Sequence, residues 1–364
     1  MPDDALPSRN RAMETQTVEQ SNSQSQTRSI ENPVLVEVTR GEMVESRHRG
    51  AFAVVDVEGN IVHSAGDLER DVYPRSAIKP LQALALVESG AADAFGVDDR
   101  ELALACASHQ GETAHVETAR DWLARLGYSD ADLECGAHLP YAESAAHAMI
   151  RQGQAPQALH NNCSGKHAGF LTVARQLGVS PQGYIKFEHP VQQTVLGILE
   201  MMSGLDLRGA PRGIDGCGIP QYALPLGNVA LAMARFADPA DQPERRQSAC
   251  ARVRKAMAAE PLMVAGTNRF CTDVIVASGG RALVKTGAEG VFCAALPELG
   301  LGLALKIDDG ATRASQVATG ALLRRLGAID AETAETLTHQ LNPELRNRAG
   351  TLVGEVRAAE GPFH

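Results

Sequence analysis

No run of about 18 uncharged apolar residues occurs in the 364-residue chain, so its sequence gives no membrane-spanning helix. Positive charge is in short supply as well. With 34 Lys+Arg against 44 Asp+Glu the formal net charge is −10, which speaks against a basic nucleic-acid face. A disulfide framework is missing too: the seven cysteines, Cys106, Cys135, Cys163, Cys217, Cys250, Cys271 and Cys293, are odd in number and widely spread, as reduced thiols are. No internal repeat is found. The opening residues lack the basic start and apolar stretch of a secretory signal, so the expected compartment is the cytoplasm. Residues 1–31 are polar and Ser/Gln-rich and read as a disordered tail. With 44% hydrophobic residues, the remainder has ample material for a core, expected as one domain over 32–360.

From Pro33 to about Ala65 the pattern is β-like. Val34, Val36 and Val38 alternate with polar neighbours, and Ala51 to Val57 runs into a Glu58-Gly59-Asn60 turn before Ile61 and Val62, which predicts a hairpin. Apolar spacing near 3.6 predicts helices around 77–90, 113–127, 143–152, 166–177, 190–203, 222–236 and 243–259. Strand signals return at Asp273–Ala277, Arg281–Lys285, Gly290–Leu296 and Leu301–Ile307, and a last amphipathic helix is expected at 311–327. The fold class is therefore α/β in the α+β sense. An antiparallel sheet drawn from both chain ends is flanked by helices, with a helical lobe inserted in the middle.

Lysine is scarce, with six in the chain: Lys79, Lys166, Lys186, Lys255, Lys285 and Lys306. One of them follows a serine at a spacing of three, in Ser76-Ala77-Ile78-Lys79. Pro80 cannot sit in a helix interior, so the helix must begin near Ser76. There the free N–H groups and macrodipole favour a developing alkoxide, and Lys79 lies one turn on, where a neutral amine can serve as base. A helix cap followed by a surface lysine is the bland alternative.

Val284-Lys285-Thr286-Gly287 ends a predicted strand. A Lys-Thr-Gly strand accompanies Ser-x-x-Lys in penicillin-recognising enzymes. Between the two, Ala107-Ser108-His109-Gln110-Gly111-Glu112 closes an apolar segment with a polar loop, making Ser108 the candidate proton relay to Lys285. Asn161-Asn162-Cys163-Ser164-Gly165-Lys166-His167 opens a helix, and Asp215-Gly216-Cys217-Gly218 is a Gly-rich turn. Cys163 and Cys217 fall in polar loops, unlike Cys106, Cys250 and Cys293, and suggest a metal. By spacing alone His167 is a more conventional third ligand than Lys166.

Taken together, Pro74-Arg75-Ser76-Ala77-Ile78-Lys79-Pro80, the Ser108 loop, Asn161 to Gly169 and Asp215 to Gly218 resemble the rhizobial-type (thermolabile) L-asparaginase family over about residues 32–360. The resemblance implies a serine β-lactamase/glutaminase-like fold, a homodimer, and hydrolysis of L-asparagine to L-aspartate and ammonia. It implies Ser76 as nucleophile, Lys79 as its base, and Ser108 with Lys285 as a second pair that delivers a proton to departing ammonia. It further implies zinc held by Cys163, Lys166 and Cys217, displacing His167 as ligand. Arg75, His109, His167 and Asp215 would then line or support the substrate site, with Cys271 nearby. A glutaminase, a β-lactamase-like acyl hydrolase and a non-catalytic amino-acid or zinc-binding protein are the competing readings.

Overall fold

The computed structural model describes residues 31–363, so all of the tail expected at 1–31 except Glu31 lies outside the described residues. Twelve strands are formed among them: β1 (Val34–Arg40), β2 (Met43–Val55), β3 (Ile61–Ala65), β4 (Asp71–Val72), β5 (Arg212–Ile214), β6 (Pro220–Tyr222), β7 (Leu224–Pro225), β8 (Leu283–Thr286), β9 (Val291–Leu296), β10 (Leu301–Ile307), β11 (Glu344–Arg346) and β12 (Leu352–Ala358). Eight build one sheet in the order β11-β12-β1-β2-β10-β9-β8, with β3 added to β2. Its pairings are antiparallel throughout.

The long strand β2 joins the halves of this sheet. Its first part pairs with β1, and from Gly50 to Val55 it pairs with β10. Exposure alternates along the first part and disappears in the second. Every residue of β9 is buried, so both faces there must be covered. The Leu226–Ala237 and Thr312–Arg325 helices pack on β9 and β10 and supply that cover. The expected antiparallel sheet drawn from both chain ends is present. Among the described residues no helix is long and apolar enough to cross a membrane.

The inserted helical lobe is built around the Lys79–Glu88 helix, which packs against the Ser164–Leu177, Pro190–Ser203 and Glu244–Ala259 helices. Two differences from the sequence reading have physical reasons. Phe270–Ala277, expected to be partly strand, is a helix; its β-branched Val274-Ile275-Val276 run suits either state, and packing against β8 decides. The Asp99–Ala105 helix was not expected, although a reciprocal Asp98–Glu101 capping box marks its start. This helix leads directly into the Ser108 loop. A third difference is at the C-terminal end, where β11 and β12 form the edge beyond β1 and were not predicted.

Candidate active site

Ser76 lies on a 3₁₀ turn, Arg75–Ile78, and the α-helix starts at Lys79 with Pro80 in its first turn. The proline therefore sits where its missing N–H is no loss. Arg75 adopts φ +52°, a left-handed conformation that costs an L-residue energy unless its surroundings hold it. Asp215 does so, accepting hydrogen bonds from Arg75 Nη2 and Nε at 2.8 and 3.1 Å. Burial would push the Asp215 carboxyl up, but the Arg75 hydrogen bond and the Lys166 charge outweigh it and hold the carboxyl below its ordinary range. Asp215 also accepts from Gln221 Nε2 at 3.1 Å and the Gly216 N–H at 2.7 Å. The β5–β6 hairpin thus presents Asp215 and Cys217 together in its connecting turn.

Strand β8 closes the other side. A Cβ placed on Gly287 would come within 2.9 Å of the Pro74 carbonyl oxygen and 3.2 Å of the Ala77 nitrogen, so glycine is what lets the strand end meet the Ser76 turn. Lys285, two residues earlier, leaves the strand on the same face. Its amine is 2.8 Å from Ser108 Oγ and donates to the Thr286 carbonyl at 2.7 Å. Full burial, reinforced by the positive charge of Lys79, lowers the Lys285 pKa to about 7. Cys271 lies beside this lysine, its thiol pushed up by burial.

Lys79 makes no hydrogen bond to Ser76. Its three N–H groups have three acceptors, the Ala107 carbonyl at 2.5 Å, Cys163 Sγ at 3.1 Å and Ser108 Oγ at 3.2 Å. Ser108 is consequently held between two lysine amines. No side-chain hydrogen bond to the Ser76 hydroxyl is formed among the described residues, and Ser76 is only half-buried.

The metal candidates converge as well. Lys166 Nζ is 2.9 Å from Cys217 Sγ, and Cys163 and Cys217 shift each other's ionisation in opposite directions. Hydrogen bonding from Cys217, followed by the Lys79 and Lys166 charges, draws Cys163 well below its ordinary pKa despite burial, while Cys217 is pushed up. Burial would lower Lys166, but the adjacent sulfurs hold its amine above its ordinary value. Both cysteines are buried, as all seven are, so their charged neighbours distinguish them rather than the exposure their polar loops suggested. Among the described residues no set of three His, Cys, Asp or Glu side chains can hold a metal. A metal here would have to recruit Lys166, whose amine must first give up the proton that the adjacent sulfurs hold on it; once neutral, it would complete with the two sulfurs a donor set that suits zinc.

The Asn161–His167 segment reaches this centre through one close approach. At Gly165 a Cβ would lie 2.4 Å from the Leu104 carbonyl oxygen, so only glycine lets the Ser164–Leu177 helix touch the end of the Asp99–Ala105 helix. His109 is fully buried, and both its ring nitrogens are engaged by the protein. Nδ1 accepts from the Gly111 N–H at 3.0 Å, which leaves Nε2–H to donate to Ser164 Oγ at 2.9 Å. It braces the Ser108 loop against the Cys163 helix instead of facing a ligand. His167 is also buried, with Nδ1 2.7 Å from the Tyr184 hydroxyl. Tyr184 went unread in the sequence because a single tyrosine in a short loop carries no spacing signal.

A match to the L-asparaginase II family spans residues 36–358 and takes in all of these side chains. The chain belongs to that family. It is an asparaginase-type amidohydrolase acting on a small-molecule substrate. Among solved structures similar to it, Mglu in its native form is 16% identical with a TM-score of 0.45, over 83% of this chain and 71% of that one. A beta-lactamase from Mycobacterium bovis is 14% identical with a TM-score of 0.40, over 75% of this chain and 93% of that one. No curated protein sequence matches the chain.

Proposed function

We propose that the protein hydrolyses L-asparagine to L-aspartate and ammonia, with Ser76 as nucleophile and the Ser108–Lys285 pair as its proton-transfer system. The observation that carries this reading is the contact between Ser108 and a buried lysine whose pKa is lowered to about 7, since a base poised near the working pH is the most effective. Ser76 attacks the side-chain amide carbon from the strained turn, and its proton passes through the Ser108 hydroxyl to Lys285. The same route returns a proton to the departing ammonia. Water then hydrolyses the aspartyl ester, with Lys285 again accepting the proton. The leading N–H groups of the 3₁₀ turn support the oxyanion.

Lys79 takes a different role from the base expected of it. With its donors engaged by Ala107, Ser108 and Cys163, it orients the Ser108 hydroxyl toward Lys285 and supplies the charge that helps lower that amine. Arg75 and Asp215 fix the nucleophile's turn at the rim of the substrate site. Zinc, held by Cys163, Lys166 and Cys217, would supply a fixed positive charge that orients the substrate's polar α-substituents.

The test is ammonia release from L-asparagine and L-glutamine by purified wild type and Ser76→Ala. Release from asparagine that vanishes in the variant supports the reading. No release from either amide by zinc-supplied wild type refutes it.

A further inference from the structure

Two segments far apart in the chain are laced together beside Ser108. The Ser108 N–H donates to the Val264 carbonyl at 3.1 Å, Gln110 Nε2 to the Thr267 carbonyl at 2.8 Å and His115 Nε2 to the Leu262 carbonyl at 3.0 Å. Glu112 adds a two-point tie. Its Oε1 accepts the Thr267 N–H at 2.9 Å and its Oε2 accepts the Thr267 hydroxyl at 3.0 Å, across 155 positions of sequence. A carboxylate that accepts two hydrogen bonds from one residue fixes orientation as well as distance, and its charge strengthens both bonds.

Helix formation does not account for this carboxylate. Glu112 is the N-cap residue of the Thr113–Arg125 helix, yet its side chain makes no capping bond there, and Ser, Thr, Asp or Asn would serve better at that position. The opposite segment is shaped to receive it. Gly266 has φ +116°, and a Cβ placed on it would lie 2.9 Å from Glu112 Oε1 and 3.0 Å from Gln110 Cγ. Glycine alone combines that backbone with so close an approach.

From this turn the connection runs on to Lys285. Thr272 Oγ1 donates to the Gly266 carbonyl at 2.7 Å, which joins the turn to the Phe270–Ala277 helix. That helix packs against β8, the strand that carries Lys285. Ser108 therefore lies on one side of the tie and Lys285 on the other, and these two residues, 177 positions apart, must be held 2.8 Å from each other.

We propose that Glu112 is a positioning residue of the active site: its two-point grip on Thr267 sets the distance and direction between the Ser108 hydroxyl and the Lys285 amine. Its kinetic consequence rests on the reading in which Ser108 and Lys285 move the proton, whereas the geometry it sets does not depend on activity. Misplacing a reacting group by about 1 Å costs on the order of 100-fold in rate.

The experiment compares full-length wild type, Glu112→Ala, Glu112→Gln, Thr267→Val, the Glu112→Ala/Thr267→Val double variant and Val356→Ala. The last truncates a buried side chain on β12, four strands removed from β8, and controls for lost stability, which thermal unfolding reads. Glu112→Ala lowers kcat for asparagine about 100-fold with KM nearly unchanged. Glu112→Gln, whose carboxamide oxygen still accepts the Thr267 N–H, recovers most of that loss. Thr267→Val, which removes the hydroxyl bond alone, loses less than Glu112→Ala and adds nothing in its background. Val356→Ala keeps kcat even where its unfolding temperature falls. Crystal structures of wild type and Glu112→Ala show the Ser108 Oγ to Lys285 Nζ distance lengthened in the variant beyond hydrogen-bond reach, about 3.5 Å. A distance unchanged in Glu112→Ala overturns the proposal, as do additive losses in the double variant or a loss of kcat no larger than that of Val356→Ala. If wild type releases no ammonia from asparagine while the distance lengthens in Glu112→Ala, the amidohydrolase reading fails and the positioning role stands.

Discussion

Lys285 Nζ stands 2.8 Å from Ser108 Oγ at the inner end of strand β8, and both side chains are almost completely buried. Ser108 also receives Lys79 at 3.2 Å. A hydroxyl that accepts from one lysine can donate to the other when that other is neutral, so under the proposed function a proton would pass through Ser108 toward Lys285.

The pH dependence follows. Burial lowers Lys285 from its ordinary 10.5 to about 7, so kcat/KM for asparagine should rise as pH passes through about 7. Stability moves the same way. Between about 7 and 10.5 the unfolded chain holds the lysine proton and the folded chain has lost it, so the cost of burying Lys285 is greatest below 7 and is relieved as pH rises. Lys285→Met should abolish the activity rise and flatten this part of the stability profile. An unchanged kcat/KM profile in the variant would exclude Lys285 as the titrating base.

The two serines are separable by where an acyl group accumulates. Mass spectrometry of acid-quenched enzyme with asparagine should place an aspartyl ester on the peptide containing Ser76. Ser108→Ala should slow ester formation at least 100-fold through loss of the relay, the scale of general acid–base catalysis. An ester on Ser108 would reverse their roles.

The Arg75–Asp215 pair holds a backbone conformation as well as a charge. Asp215→Asn should cost activity about tenfold or more by releasing the Ser76 turn. Because the folded Asp215 pKa is depressed below its ordinary 3.8, the pair's stabilisation is complete above that pH and fades as pH falls through the folded value. Acid-unfolding curves of the two proteins should therefore separate above about pH 4 and converge below it. Curves separated by a constant gap would mean that the pair is not the cause.

Zinc should appear in the purified protein and fall in Cys163→Ser and Cys217→Ser. Chelation should raise KM for asparagine while leaving kcat largely intact, in keeping with a charge that orients substrate. A collapse of kcat at constant KM would instead place the metal in the chemistry.

Gly165→Ala should destabilise the fold by about 1–3 kcal/mol through overpacking, because the new methyl meets the Leu104 carbonyl oxygen at 2.4 Å. Activity should fall with it, since Cys163 and Lys166 flank the shifted position. Thermal unfolding and asparaginase assays on the same preparation check both effects.

Local signals were enough to reveal much of the architecture. The Val34–Val38 alternation and the Glu58-Gly59-Asn60 turn predicted the opening strands, and the 3.6-residue spacing predicted the 190–203 helix to the residue. Phe270–Ala277 misled because its Val274-Ile275-Val276 run is β-branched and suits a strand as well as a helix. The site divided in the same way. Motif spacing singled out Ser108 and Lys285, and the structure joins them. It could not show that Lys79 turns to Ala107 and Cys163, because that choice depends on contacts with residues 28 and 84 positions away. Nor could spacing tell that His109 has both nitrogens engaged, which is a property of packing.

The pairing of β1 with β12 joins Val36 to Ala358. A chain emerging from the ribosome has Ser76 and Ser108 available long before Lys285, and the strand that completes the sheet beside β1 comes later still. Contacts of such long sequence separation slow folding. The nascent chain therefore carries Ser76 and Ser108 before the lysine that meets Ser108 has been made, and the sheet beside β1 cannot close until Ala358 has emerged.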